Sequence, residues 1–335
     1  MKKYQFILGI DVSKKKLDVC FLSNVDPKKL SFLVSTNDKK GITHILNVVK
    51  KMGGNLNEVL VCFETTGIYS MSLAIHLDNL EIDYWEVPAI EIKRSKGLSR
   101  GKNDKIDARD IAFYAHTHIY KLQLSHIPEK EIMKLQLLFA EREKLIKAIR
   151  SFEMTNENKG FIPLEITSKL FNINKKTIRY LKKRLAEVEQ EMLHIVNENQ
   201  EIQKQYQLIQ TVPGVGPQTA LYLIIKTKLF TAFGNWRKLA CYSGIAPFEY
   251  SSGTSIKGRT KVSNLADKKM KSLLTMCALN AKRFDKQLNV YYQRKIEEGK
   301  HPMLVINSIK GKILSRIFAV INRGTPYVNT FKYAS

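Results

Sequence analysis

Four carboxylates stand where a divalent-metal phosphodiesterase would need them: Asp11, Glu64, Asp104 and Asp107. Asp11 ends the apolar run Tyr4-Gln-Phe-Ile-Leu-Gly-Ile, and Glu64 ends a second, Val59-Leu-Val-Cys-Phe. Asp104 and Asp107 follow Asn103 at a predicted helix start, and their i, i+3 spacing puts both on one helix face. Carboxylates at strand ends and on a packed helix can meet at one point, where their hard oxygens suit Mg²⁺, with Mn²⁺ as a substitute. Two such ions, roughly 3.5–4 Å apart, stabilise both the entering and the leaving oxygen of a phosphodiester. A helix-terminal charge answering the helix dipole would account for Asp104. It leaves Asp11, at the end of an apolar strand, without a reason to be charged. Asp110, one turn further along, is a weaker candidate for a ligand or its support. The cations Lys93, Arg94, Lys96, Arg100, Lys102, Lys105 and Arg109 bracket these acids, as a site that holds a polyanion requires. Among them, Lys102 and Lys105 are candidate nucleic-acid contacts.

A second group of reactive side chains lies far along the chain. Ser251-Ser252-Gly253 is followed by Lys257, Arg259 and Lys261, then by Lys268, Lys269 and Lys271, with only Asp267 opposing. Serine before glycine is ordinary turn chemistry. In so positive a field, a serine hydroxyl is also placed to attack a phosphate and form a phosphoserine ester. Between the two groups, Val212-Pro-Gly-Val-Gly-Pro-Gln-Thr-Ala220 is flanked by apolar helical stretches and reads as a helix-hairpin-helix. Gly214 and Gly216 would let the backbone approach a phosphate, and the next helix would offer it free N–H groups. A tight helix–helix turn with no ligand is the alternative.

The elements that must position these residues follow from periodicity. Strands are expected at 4–11, 17–23 and 30–35, a helix at 39–52, a strand at 58–64, a helix at 67–80, a strand at 82–87 and a helix from Asp104 to about His118. That is the order of an α/β, ribonuclease-H/RuvC-like mixed sheet, with the acids on its first strand, its fourth strand and a late helix. Residues 128–208 read as long helices with a loop at 155–163. Over 175–206 an apolar heptad places Ile178, Leu185 and Met192 at one seam position and Leu181, Val188, Ile195 and Ile202 at the other. Asn199 is the polar seam residue of the kind that sets register and partner number. The seam suits a coiled coil, either with a second copy or antiparallel with helix 128–152. Three domains are expected: a metal-dependent catalytic domain at 1–125, a helical link and oligomerisation segment at 126–205, and a mostly helical C-terminal domain at 206–335.

Composition narrows the partners. The 335 residues carry 55 Lys+Arg against 31 Asp+Glu, a net charge of +24, and the pI is near 9.7. This suits the phosphate backbone of nucleic acid and is silent on sequence preference. The four cysteines contain no C-x-x-C pair, which predicts reduced thiols and no zinc site. No apolar stretch reaches the ~18 residues of a membrane span, and the N-terminal run is too short for a signal peptide. A cytoplasmic, nucleoid-associated bacterial protein without a membrane partner is expected.

Gly9-Ile-Asp-Val-Ser-Lys-Lys-Lys-Leu-Asp-Val19, Glu64-Thr-Thr-Gly-Ile-Tyr69, Lys102-Asn-Asp-Lys-Ile-Asp-Ala108 and Ser243-Gly-Ile-Ala-Pro, continuing to Ser-Ser-Gly253, together resemble the motifs of DEDD insertion-sequence transposases. This is the bacterial insertion-sequence family numbered one hundred and ten, related to Piv-type DNA invertases. The resemblance implies a RuvC-like domain whose Asp11, Glu64, Asp104 and Asp107 bind Mg²⁺, a coiled-coil link, and a C-terminal transposase domain with a nucleophilic serine. That serine aligns best with Ser252, which directly precedes the glycine. The resemblance also implies a structured non-coding bridge RNA that pairs with donor and target DNA. A dimer or tetramer is the expected working unit. Two departures are Asn103, where Thr is more usual, and Ser263–Asp267, which lacks a Gly-Asn step. The expected function is a DNA transposase or recombinase. A RuvC-like resolvase using metal-activated water would leave the Ser-Gly module unexplained. An actin-like ATPase would need glycine-rich phosphate loops that 58–90 lacks, and a non-catalytic RNA-binding protein has no use for four acids.

Overall fold

The strand that carries Asp11 is central to the first of two compact units, Met1–Ile127 and Pro128–Ser335. The computed structural model describes residues 3–95, 103–157, 161–252 and 256–329. In the first unit the chain runs β1 (Phe6–Val12), β2 (Lys16–Ser23), β3 (Leu30–Thr36), α1 (Lys39–Lys51), β4 (Val59–Glu64), α2 (Ile68–Asn79), β5 (Tyr84–Val87), α3 (Ala89–Ser95) and α4 (Asp104–Thr117). Among the described residues these strands form one mixed sheet in the order β3-β2-β1-β4-β5. β1 pairs antiparallel with β2, as β2 does with β3, while β1–β4 and β4–β5 are parallel. The mixed sheet and most element bounds agree with the periodicity; α3 does not figure in that reading.

Helices on both faces explain why β1 and β4 are almost wholly apolar. Leu8 and Ile10 pack with Ile42, Ile45 and Val49 of α1 and with Leu73 and Leu77 of α2. Ile7, Leu60 and Cys62 pack on the opposite face with Ala108, Ile111 and Ala112 of α4. Gly9 shares this second face by the period-two rule. A Cβ at Gly9 would lie 2.3 Å from backbone atoms of both Ala108 and Ala112. Only glycine lets α4 approach this closely, and that approach brings the acidic first turn of α4 to the end of β1.

The second unit runs α5 (Lys130–Glu157), α6 (Leu164–Glu198), α7 (Gln200–Gln210), α8 (Pro217–Thr227), α9 (Trp236–Tyr242), β6 (Pro247–Ser252), β7 (Ile256–Val262), α10 (Lys268–Phe284), α11 (Lys286–Glu297) and α12 (Pro302–Arg323). Val188, Met192 and Ile195 of α6 share a core with Ile132, Leu135 and Phe139 of α5. Arg142 of α5 pairs with Glu189 at 2.7 Å and Glu153 with Lys182 at 2.8 Å. Partner numbers fall along α6 as they rise along α5, so the two helices run antiparallel within one chain.

Asn199 is a correction to the heptad reading. It leaves the helix at φ −105°, ψ 111°, and its side chain accepts a hydrogen bond from the Ile202 amide at 3.0 Å to open α7. Asn favours such a cap because its short amide satisfies an orphan N–H. Ile202 therefore belongs to α7, and the α6 seam stops before it. The β6–β7 hairpin, an antiparallel pair, falls where the sequence reading contains no strand. Among the described residues no helix is long and apolar enough to cross a membrane.

Candidate metal centre and nucleic-acid contacts

Strand register brings the first two acids together. Asp11 of β1 stands directly opposite Asp18 of β2, so the pair shares one face of the sheet. Asp104 arrives from α4, whose start is capped by the Asn103 side chain accepting from the Lys105 amide at 3.0 Å. Carboxylate oxygens of Asp11, Asp18 and Asp104 all lie within 4.8 Å of one another. Asp18 is not among the four acids that the motifs single out. Its signal was nonetheless present: a strand that turns back through Ser13-Lys14-Lys15 must pair residue 11 with a near neighbour in the following strand.

Glu64 and Asp107 stand outside that 4.8 Å group but beside it. Phe63 pairs with Ile10, so Glu64, the last residue of β4, and Asp11, the last but one of β1, follow a paired position on adjoining parallel strands. Asp107 lies one turn along α4, close enough for its charge to act on Asp11. Burial raises the Asp11 carboxyl above its ordinary range, and repulsion from Asp107, Asp104 and Asp18 adds to the rise in that order, while Lys16 opposes it. Lys16 Nζ lies 2.6 Å from Asp104 Oδ2 and 3.1 Å from Asp18 Oδ2. The bond to Asp104, then the contact to Asp18, raises the Lys16 ammonium.

The contact to Asp18 has the distance of an ion pair without the geometry of a hydrogen bond, so that among the described residues the buried Asp18 Oδ2 has no hydrogen-bond partner. A buried carboxylate oxygen left this way is costly, and a cation is what compensates it. Lys16 supplies part of that positive charge, and hard oxygen donors at this spacing suit Mg²⁺. Asp18→Asn is expected to weaken Mn²⁺ binding by at least about tenfold, the scale on which support for a metal site is felt. Calorimetric titration measures it, and an unchanged affinity would remove Asp18 from the centre.

The flanking candidates have mixed placements. Lys105 is exposed, with Nζ 4.4 Å from the Phe32 ring centroid. Lys102, Lys96 and Arg100 lie outside the described residues. Asp110 forms an ion pair with Arg109 at 2.9 Å, a role that needs no metal.

In the second unit, Ser252 is the last residue of β6, in register with Ile256, and Ser251 is in register with Lys257. The side chains of Ser251, Ser252, Lys257, Arg259 and Lys261 lie outside the described residues. Asp267, the acid opposing this basic run, is tied down: its carboxylate accepts from Tyr222 Oη at 2.8 Å and from the Met270 amide at 2.8 Å. Gly214 has φ +86°, and a Cβ there would lie 2.5 Å from the Cys277 carbonyl oxygen in α10. Packing alone accounts for that glycine. Gly216, which caps α8, has open space around it.

Residues 8–157 match a family model for DEDD transposases of IS110 elements, described as Transposase. Residues 206–293 match a second, described as Transposase IS116/IS110/IS902 family. The chain is 26% identical over 329 residues to the pilin gene-inverting protein of Moraxella bovis, covering 96% of this chain and 97% of that one. It is 30% identical over 120 residues to an uncharacterized 43.6 kDa protein of insertion element IS110 from Streptomyces coelicolor, covering 36% of this chain and 29% of that one. A structure of Thermus thermophilus RuvC with a Holliday junction substrate is covered in full by 37% of this chain, at 10% identity and a TM-score of 0.27, too low to carry any argument. With two transposase models matched in chain order and a relative aligned from end to end, the chain belongs to the IS110 family of DEDD transposases.

Proposed function

We propose that this transposase cuts and rejoins DNA to move its own insertion element, using the carboxylate cluster of the first unit and Ser252 of the second. The observation that carries the reading is the convergence of Asp11, Asp18 and Asp104 within 4.8 Å, a concentration of negative charge that a bound divalent cation would relieve. Asp11, Asp18 and Asp104 would hold Mg²⁺, with Glu64 and Asp107 beside them. Such an ion, when bound, polarises the scissile phosphate and neutralises its developing charge. Lys102 and Lys105 hold the DNA backbone next to the cluster.

Ser252 attacks phosphorus, its oxygen replacing the deoxyribose oxygen, which leaves with the proton the serine gives up. Lys257, Arg259 and Lys261 hold the phosphates around it, and the α8 N-terminus at Gly216 takes another. Residues 126–205 serve as the helical arm and 206–335 as the serine domain. The +24 charge and the family resemblance support donor and target DNA, a bridge RNA and a homo-oligomer in the bacterial cytoplasm.

The test is product analysis with Mg²⁺, the element's ends and its flanking transcript. Rejoined DNA is expected. Ends that are cut and hydrolysed without joining would replace this reading with a nuclease that uses metal-activated water.

A further inference from the structure

Away from the carboxylates, the second unit holds an open cavity of about 1720 Å³ between α9, the β6–β7 hairpin, α11 and α12. Sites for small molecules run to about 300–1,000 Å³, so this one has room for a polymer segment. Among the described residues its charged lining residues are all cations: Arg237, Lys271, Arg294, Lys310, Lys312 and Arg316. Two of them are partnered from within, since Arg316 donates to Asp285 at 2.6 Å and Arg294 lies 3.7 Å from Glu298.

Lys310 differs. It is 2% exposed, set on α12 between the core residues Ile309 and Ile313, and has no acidic partner among the described residues. Burial lowers the pKa of its ammonium, and the nearby Lys271 lowers it further. An ammonium buried beside another ammonium is unfavourable until an anion joins them.

The same walls carry aromatic rings. Trp236, Phe248 and Tyr291 line the cavity, and Phe248 is 49% exposed. Arg237 lies 4.9 Å from the Trp236 ring and Lys312 lies 4.5 Å from the Tyr291 ring. Cations set among aromatic faces are the chemistry of single-stranded nucleic acid, where phosphates meet charge and unpaired bases stack. A duplex keeps its base faces occupied and gains nothing from the rings. The hairpin wall also leads towards Ser252. Phe248 is four residues from it along β6, roughly 13 Å at about 3.3 Å per residue, or about four nucleotides stacked at 3.4 Å.

We propose that this cavity binds a short unpaired nucleic-acid strand, with bases against Trp236, Phe248 and Tyr291 and a phosphate at Lys310 and Lys271. The position beside Ser252 marks DNA next to the cut as the source, and that assignment alone rests on the recombinase reading. Short single strands of DNA and of RNA, each bearing a photoreactive pyrimidine, should be crosslinked to the full chain and the adducts mapped by mass spectrometry. Adducts on Trp236 or Tyr291 are expected with DNA; adducts there with RNA alone would assign the cavity to the guide.

Lys310→Met should lower single-strand affinity by about tenfold or more and leave duplex affinity unchanged. It removes an uncompensated buried charge, so the variant should fold at least as well as the parent. The exposed Lys312→Gln should lower the same affinity by a few fold. Adducts confined to other peptides, or single-strand affinity untouched by both substitutions, overturn the proposal. Asp11→Asn should keep the crosslink while losing cleavage, so failure of the cavity and failure of the recombinase are told apart.

Discussion

Asp11→Asn should reduce DNA strand cleavage by at least about a hundredfold, the scale on which loss of one transition-state charge contact is felt, with DNA and RNA binding retained. The residue is central to the cluster: it faces Asp18 across the strands, adjoins Glu64 at the strand end and lies under the acidic turn of α4. The same substitution should raise the melting temperature of the metal-free protein at neutral pH. Burial and the neighbouring carboxylates raise the Asp11 carboxyl, so the ionised form is less at home in the fold than in the unfolded chain.

With the folded value above the unfolded one, the stability Asp11 contributes is complete below the ordinary carboxylate range. It is lost as pH rises through the raised value. Asn carries no charge and has no such loss. Mg²⁺ or Mn²⁺ should then raise the melting temperature of the parent protein and not that of the variant. Cleavage that survives Asp11→Asn, or a parent protein whose melting ignores both ions, rejects the metal centre.

Ser252→Ala should eliminate any covalent protein–DNA species in denaturing gels and, with it, rejoined product. A serine hydroxyl is a weak nucleophile at neutral pH and needs activation from a metal or a base. The carboxylates that would bring it lie in the other compact unit. Chain connectivity does not oblige Ser252 to meet its own subunit's cluster, which leaves room for a composite site assembled from two subunits. Mixing Asp11→Asn with Ser252→Ala should restore part of the activity if the site is shared. Co-assembled mixtures that stay inactive would place both halves in one chain. Loss of the covalent species with Ser251→Ala instead would identify the neighbouring serine as the nucleophile.

Much of this protein is legible in its residues because local periodicity records which side of an element is buried. Short apolar runs set out β1, β2 and β4, the polar Asn103 opens α4, and the i, i+3 spacing puts Asp104 and Asp107 on one face. The heptad of α6 marks the face that packs, and the motifs in order are enough to suggest the family.

What the sequence left open are facts of register and approach. Asp18 joins the cluster only because β2 folds back with residue 18 opposite residue 11. Gly9 reads as an ordinary strand glycine until α4 lies against it. Asn199 falls on a heptad position and reads as a seam residue, yet the chain leaves the helix there and its side chain caps α7. Nothing in the local sequence Ile-Lys-Gly-Lys singles out Lys310, yet the packing of α12 buries it in a basic cavity. Such contacts join residues far apart in the chain, and their energies depend on which faces meet in three dimensions. A local pattern encodes the faces; only the tertiary structure decides which of them meet.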